Sequence, residues 1–113
     1  MKSKILALSK NDDFKALVKG NKLSNKYATV FFKVIKNTNR KKLNISFVAK
    51  KKIGNAVKRN KIKRRLRNIM NEAIKKIPIK FNYSYLIIAK STMLNNSYTN
   101  IKEVLFESFK KIK

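Results

Sequence analysis

Apolar and polar positions divide the chain into alternating helical and extended stretches. Phe14, Leu17 and Val18 mark one face of a helix predicted over residues 9–19, opened by a capping signal at Ser9 or Asn11 and stopped at Gly20. Residues 21–26 read as a polar loop. From 27 to 35 the period is two, with Tyr27, Thr29, Phe31, Lys33 and Ile35 on one face and Ala28, Val30, Phe32 and Val34 on the other. Both faces carry apolar groups, so this strand is expected to be covered on both sides. A basic turn containing Asn37-Thr38-Asn39 predicts a hairpin to a second strand over 43–49, where Ile45, Phe47 and Ala49 alternate with Asn44, Ser46 and Val48.

After Asn55 the period becomes helical. Ile62, Leu66, Ile69, Ala73 and Ile77 fall on one face, edged by Met70 and Ile74, until Pro78 ends the helix. A third strand over 83–89 and a loop over 91–96 follow. A last helix, capped by Asn96 or Ser97, then carries Ile101, Val104, Leu105, Phe109 and Ile112 on one side. The order α-β-β-α-β-α, without repeat or linker, predicts a single α+β domain over 1–113, a two-layer α/β sandwich. Residues 1–8 are expected to be a flexible basic N-terminus.

Charge changes the picture most. Thirty Lys and Arg stand against five Asp and Glu, a formal charge of +25, which calls for a polyanionic partner. A hydrophobic content of 43% with seven Phe and four Tyr argues for a folded domain over a disordered basic tail. The chain has no Cys and no His, which excludes disulfides, Cys/His metal sites, thiol nucleophiles and histidine bases. Its acids are Asp12, Asp13, Glu72, Glu103 and Glu107, and their spacing suggests no carboxylate pair for hydrolysis; Asp12 and Asp13 suit the first turn of a helix. Any catalysis is therefore expected from a partner, and no metal or cofactor from the protein's side chains. No apolar run approaches a signal segment or membrane span, giving the expectation of a cytoplasmic protein without a membrane partner.

The basic residues concentrate in KKKIGNAVKRNKIKRRLRN, residues 50–68, which holds four of the five arginines: Arg59, Arg64, Arg65 and Arg67. A guanidinium fork grips phosphate in a bidentate way that an ammonium does not. Asn55 is the natural N-cap of this helix, and Gly54 before it is expected to supply positive φ for a sharp turn. A solvated helix face normally mixes signs, yet no acid occurs between Asp13 and Glu72. Arg59 falls on nearly the same line as Leu66 and Met70, which suggests that this end of the helix projects past the core.

From Lys52 to Arg67 the segment fills every fixed position of a K-x-G-x-A-V-x-R-N-x-x-K-R-x-x-R pattern, and in this it resembles the bacterial ribonuclease P protein subunit. The similarity extends to Leu8-Ser9-Lys10-Asn11-Asp12-Asp13-Phe14 and to Tyr85-Leu86-Ile87-Ile88-Ala89-Lys90. The resemblance implies a left-handed β-α-β crossover, opposite to the general rule for parallel strands. It also implies a subunit that assists a catalytic RNA, which hydrolyses one phosphodiester with Mg²⁺ that it carries and so removes the 5′ leader of precursor tRNA. The implied partners are the ribonuclease P RNA, one protein copy per RNA, and precursor tRNA. By the same resemblance Lys51, Lys52, Asn55, Arg59, Asn60, Lys63, Arg64, Arg65 and Arg67 contact the RNA subunit, while Phe14, Val18, Phe31 and Lys50 line a cleft for the single-stranded leader. Val18 departs from the family, where a second aromatic is common one turn after Phe14. Two rivals stand beside this reading: a basic RNA-binding or ribosomal protein without a role in catalysis, and a protein-only nuclease, which would need clustered acids.

Overall fold

Where the apolar residues alternate, the chain forms the three long strands of a sheet that counts five among the described residues, and where they recur at helical spacing it lays helices across that sheet. The computed structural model describes residues 5–6, 18–34, 43–79 and 83–112. Its strands are β1 (Ile5–Leu6), β2 (Asn21–Ser24), β3 (Ala28–Val34), β4 (Leu43–Val48) and β5 (Tyr83–Ala89); its helices are α1 (Ala56–Lys76) and α2 (Tyr98–Lys110). Strand order is β1-β4-β5-β3-β2. β2 and β5 pair antiparallel with β3, whereas β4 runs parallel to both β5 and β1.

Register aligns Val30 and Phe47 with Ile87, and Phe32 and Ile45 with Tyr85, so one face of the sheet is continuously apolar. Ile62, Leu66, Ile69, Met70 and Ala73 of α1 and Ile101, Leu105 and Phe109 of α2 are buried with Ala28, Val30, Ile45, Tyr85 and Ile87 of that face in one core cluster. Both helix starts are capped by side chains. Asn55 Oδ1 accepts from the Lys58 amide at 3.0 Å, and Ser97 Oγ accepts from the Asn100 amide at 3.2 Å, which settles the second cap on Ser97 over Asn96. Glu72 braces the helices: Lys102 Nζ lies 3.4 Å from its Oε2, and the Tyr98 hydroxyl donates to Oε1 at 3.3 Å. Burial, with the Glu72 charge and hydrogen bond, raises the Tyr98 pKa above the ordinary phenol value, so its hydroxyl stays protonated.

Four expectations change. The hairpin between the first two long strands does not form, because β5 lies between β3 and β4. With Ser84, Tyr85, Leu86 and Ile87 all buried, β5 takes the central place that a strand covered on both faces requires; residues 35–42 themselves lie outside the described residues. The polar stretch 21–26 is not a loop throughout: Asn21–Ser24 pairs along β3 as an edge strand, whose ladder needs only backbone groups. Its tight return rests on Asn25, whose Oδ1 accepts from the Tyr27 and Ala28 amides at 2.8 Å each. In the basic N-terminus, Ile5–Leu6 adds a short strand beside Leu43 and Asn44. Gly54, finally, is extended, with φ 162° and ψ −168°. Its need is room, since a Cβ there would meet Lys58 Cδ at 2.9 Å and Lys58 Cβ at 3.3 Å. The predicted first helix, with Phe14, lies outside the described residues except at Val18, which is helical and precedes the turn at Lys19 and Gly20.

Candidate nucleic-acid interface

Helix α1 presents two basic rows separated by its buried line. At 3.6 residues per turn, Arg59, Lys63 and Arg67 follow one flank of Ile62, Leu66 and Ile69. Lys58, Lys61 and Arg65 follow the other. Asn60 and Arg64 occupy the exposed arc between the rows, opposite the core, with Val57, which is 77% exposed. An apolar side chain so open on a cationic helix suits contact with a sugar or base. Among the described residues the ion pairs are Lys102–Glu72 and Lys110–Glu107, so no carboxylate neutralises Arg59, Lys63, Arg64 or Arg67. Arg59 is half-buried and does not project freely, although Ala56, Val57, Lys58 and Asn60 around it are exposed. Its Nε is buried with no acceptor among the described residues. Arg65, expected with the motif residues, turns to the opposite flank, where Nη1 donates to the Asn96 carbonyl at 3.5 Å.

A second cationic surface arises where β4 and β5 end side by side. The chain leaves β4 through Ala49 and Lys50 into a 3-10 turn, Lys51–Ile53, and leaves β5 through Lys90 into another, Ser91–Asn95. Between them lies a cavity of about 330 Å³ lined by Lys50, Lys52 and Lys90, by the hydroxyl residues Thr29, Ser91 and Thr92, and by Ile53, Ile88 and Ala89. Lys90 is held in place: its Nζ donates to Ser24 Oγ at 2.8 Å and to the Asn25 carbonyl at 2.6 Å. Phe31 is half-buried two residues along β3 from Thr29, on the same face of the sheet, away from α1 and α2.

Of the expected cleft residues the structure thus brings Lys50 to the cavity and Phe31 to its face. Val18 is 51% exposed, and Phe14 lies outside the described residues. Lys51 is exposed on the first 3-10 turn, and Lys52 belongs to the cavity as well as to the motif. The sequence by itself assigns no binding role to Thr29, Lys90, Ser91 or Thr92. The signal that finds them is the parallel pairing of β4 with β5, since clefts form beyond the carboxyl ends of parallel strands.

A family model described as Ribonuclease P matches residues 3–113. The chain belongs to this family. The ribonuclease P protein component of Carboxydothermus hydrogenoformans is 34% identical over 110 residues, covering 94% of this chain and 90% of the relative. That of Fusobacterium nucleatum is 36% identical over 114 residues, covering 94% and 96%. Among solved structures, the RNase P protein from Thermotoga maritima superposes with a TM-score of 0.81 at 26% identity, covering 96% of this chain and 98% of that one. The Staphylococcus aureus RNase P protein gives 0.71 at 29% identity, covering 95% and 94%. As a ribonuclease P protein component, the chain is part of the ribonucleoprotein endonuclease that matures tRNA 5′ ends, working with the ribonuclease P RNA and precursor tRNA. The ribosomal alternative gives way to this family. Among the described residues no helix is long and apolar enough to cross a membrane.

Proposed function

We propose that this subunit holds two RNAs together and leaves the chemistry to one of them. The observation that carries the reading is the pair of cationic surfaces built from neighbouring segments: the row Arg59, Lys63 and Arg67 on α1 with Arg64 beside it on the exposed arc, none neutralised by a carboxylate among the described residues, and the lysine-lined cavity at the ends of β4 and β5. On the first, guanidinium groups and the amides at the Asn55-capped helix start meet phosphates of the RNA subunit, with Lys51, Lys52 and Asn60 alongside. On the second, Lys50, Lys52 and Lys90 neutralise successive phosphates of the 5′ leader, and Phe31 gives unpaired bases an aromatic surface, a role that the family resemblance also implies for Phe14.

Three lysines with hydroxyls and no carboxylate do not suit a divalent cation, which takes oxygen ligands with negative charge. Mg²⁺, and with it the hydrolysis of the phosphodiester, then goes to the RNA subunit, as the family resemblance implies. By lowering repulsion between the two RNAs, the protein's lysines and arginines favour the bound substrate and the retention of cations nearby. One protein serves each RNA, in the cytoplasm.

Phe31→Ala tests the cleft. Stacking of a base on an aromatic ring is worth about 1–3 kcal/mol, so precursor tRNA with a long leader is expected to bind the assembled particle roughly tenfold more weakly. Substrate lacking a leader keeps its affinity. Measured in parallel by equilibrium binding, an equal loss for both substrates would make Phe31 a packing residue only.

A further inference from the structure

The row Lys58, Lys61 and Arg65 is left over by the motif, since none of the three fills one of its fixed positions. In the fold it is not a loose solvated edge. These three side chains form one wall of a groove of about 210 Å³ whose remaining lining is Ile62 from α1 and Met93, Leu94 and Asn95 from the second 3-10 turn. The groove is cationic on one side and apolar at its floor. It is smaller than the roughly 300–1,000 Å³ of pockets that enclose drug-sized ligands, which suits one flat group better than a larger ligand.

Its far wall is fixed before anything binds. Thr92 Oγ1 donates to the Lys26 carbonyl at 2.7 Å, Asn96 Nδ2 donates to the Thr92 carbonyl at 2.6 Å, and the Tyr27 hydroxyl donates to Asn96 Oδ1 at 3.1 Å. The Asn96 carbonyl in turn receives Arg65. This one bond uses a single N–H of a guanidinium that carries five donors. Among the described residues no carboxylate pairs with Lys58, Lys61 or Arg65.

We infer that this groove binds one unpaired nucleotide of RNA, its phosphate on Lys58, Lys61 and Arg65 and its base against Leu94 and the apolar floor. An anionic end joined to a flat, largely apolar face is what the two walls select together; a duplex phosphate alone would leave the floor unused. The inference rests on the RNA-binding reading of α1 and adds a second contact on the opposite flank. The 3-10 turn Ser91–Asn95 then serves both surfaces, with Ser91 and Thr92 facing the lysine cavity and Met93, Leu94 and Asn95 the groove. The nucleotide belongs either to the RNA subunit or to precursor tRNA, and the chemistry is the same for both.

Because the chain has no cysteine, Asn95→Cys creates a single thiol at the exposed rim of the groove, which takes a photoactivatable aryl azide. Glu103→Cys on the exposed side of α2 is the reference. The labelled protein is assembled with ribonuclease P RNA, with and without precursor tRNA, irradiated, and its cross-links mapped. A cross-link from position 95 to an unpaired nucleotide, absent from position 103 and abolished by Lys58→Gln with Lys61→Gln, is the expected result. The RNA that carries it identifies the source. The same double substitution should lower the salt slope of RNA binding by about two, one for each phosphate no longer neutralised. No specific cross-link together with an unchanged slope overturns the inference. Lys63→Gln with Arg67→Gln separates the two readings: if only this pair lowers the slope, the groove assignment fails and the α1 assignment stands, and if neither pair does, both fail.

Discussion

Replacing Arg64 and Arg67 together with alanine should weaken assembly with the ribonuclease P RNA by about a hundredfold, with little effect on folding. Both side chains are exposed, and neither has a carboxylate partner among the described residues, so no ion pair with a described carboxylate has to break when they bind phosphate. A hydrogen bond to a charged group contributes about 1.5–3 kcal/mol. Solvent screening at exposed positions brings each arginine toward the lower end, about tenfold in affinity. The slope of log K against log salt should fall by about two, whereas Arg67→Lys should keep the slope and lose part of the affinity, since an ammonium retains the charge but not the bidentate fork. Thermal stability should be unchanged or slightly higher, because a chain of net charge +25 repels itself. Wild-type affinity and slope in the double variant would remove α1 from the interface.

Leu66→Ala should act on the fold and on binding only through it. Leu66 is 0% exposed in the line that joins α1 to the sheet, between the basic rows. Truncating a buried leucine costs about 2–5 kcal/mol, a large share of the roughly 5–15 kcal/mol of a typical domain. The denaturation midpoint should fall accordingly. Saturating RNA subunit should restore much of it, since a ligand that binds only the folded state stabilises that state. A midpoint unmoved by the substitution would contradict the packing described for α1.

The contrast between these two positions was legible in the sequence, because helical periodicity separates Leu66 from Arg64 and Arg67 without any tertiary information. So were the three long strands and the Asn55 cap, all of which depend on local spacing. Strand order was not. A turn rich in Asn and Lys permits a hairpin, but it cannot show that β5, far later in the chain, has the stronger claim to the centre of the sheet. Asn21–Ser24 escaped because an edge strand bonds through its backbone and needs no apolar alternation. The resemblance places Arg65 among the residues that contact the RNA subunit, while the helix turns it toward Asn96. Lys90, Ser91 and Thr92 looked like the end of a strand and a loop. Only the parallel alignment of β4 and β5 makes them neighbours of Lys50 and Lys52.

The most direct test of the account is cleavage of a precursor tRNA by purified ribonuclease P RNA at low Mg²⁺, with the protein, without it, and with the protein alone. The protein should stimulate cleavage at the mature 5′ end and cut nothing by itself. Tight binding to the RNA without stimulation, or cleavage by the protein alone, would contradict a subunit that holds two RNAs while one of them performs the hydrolysis.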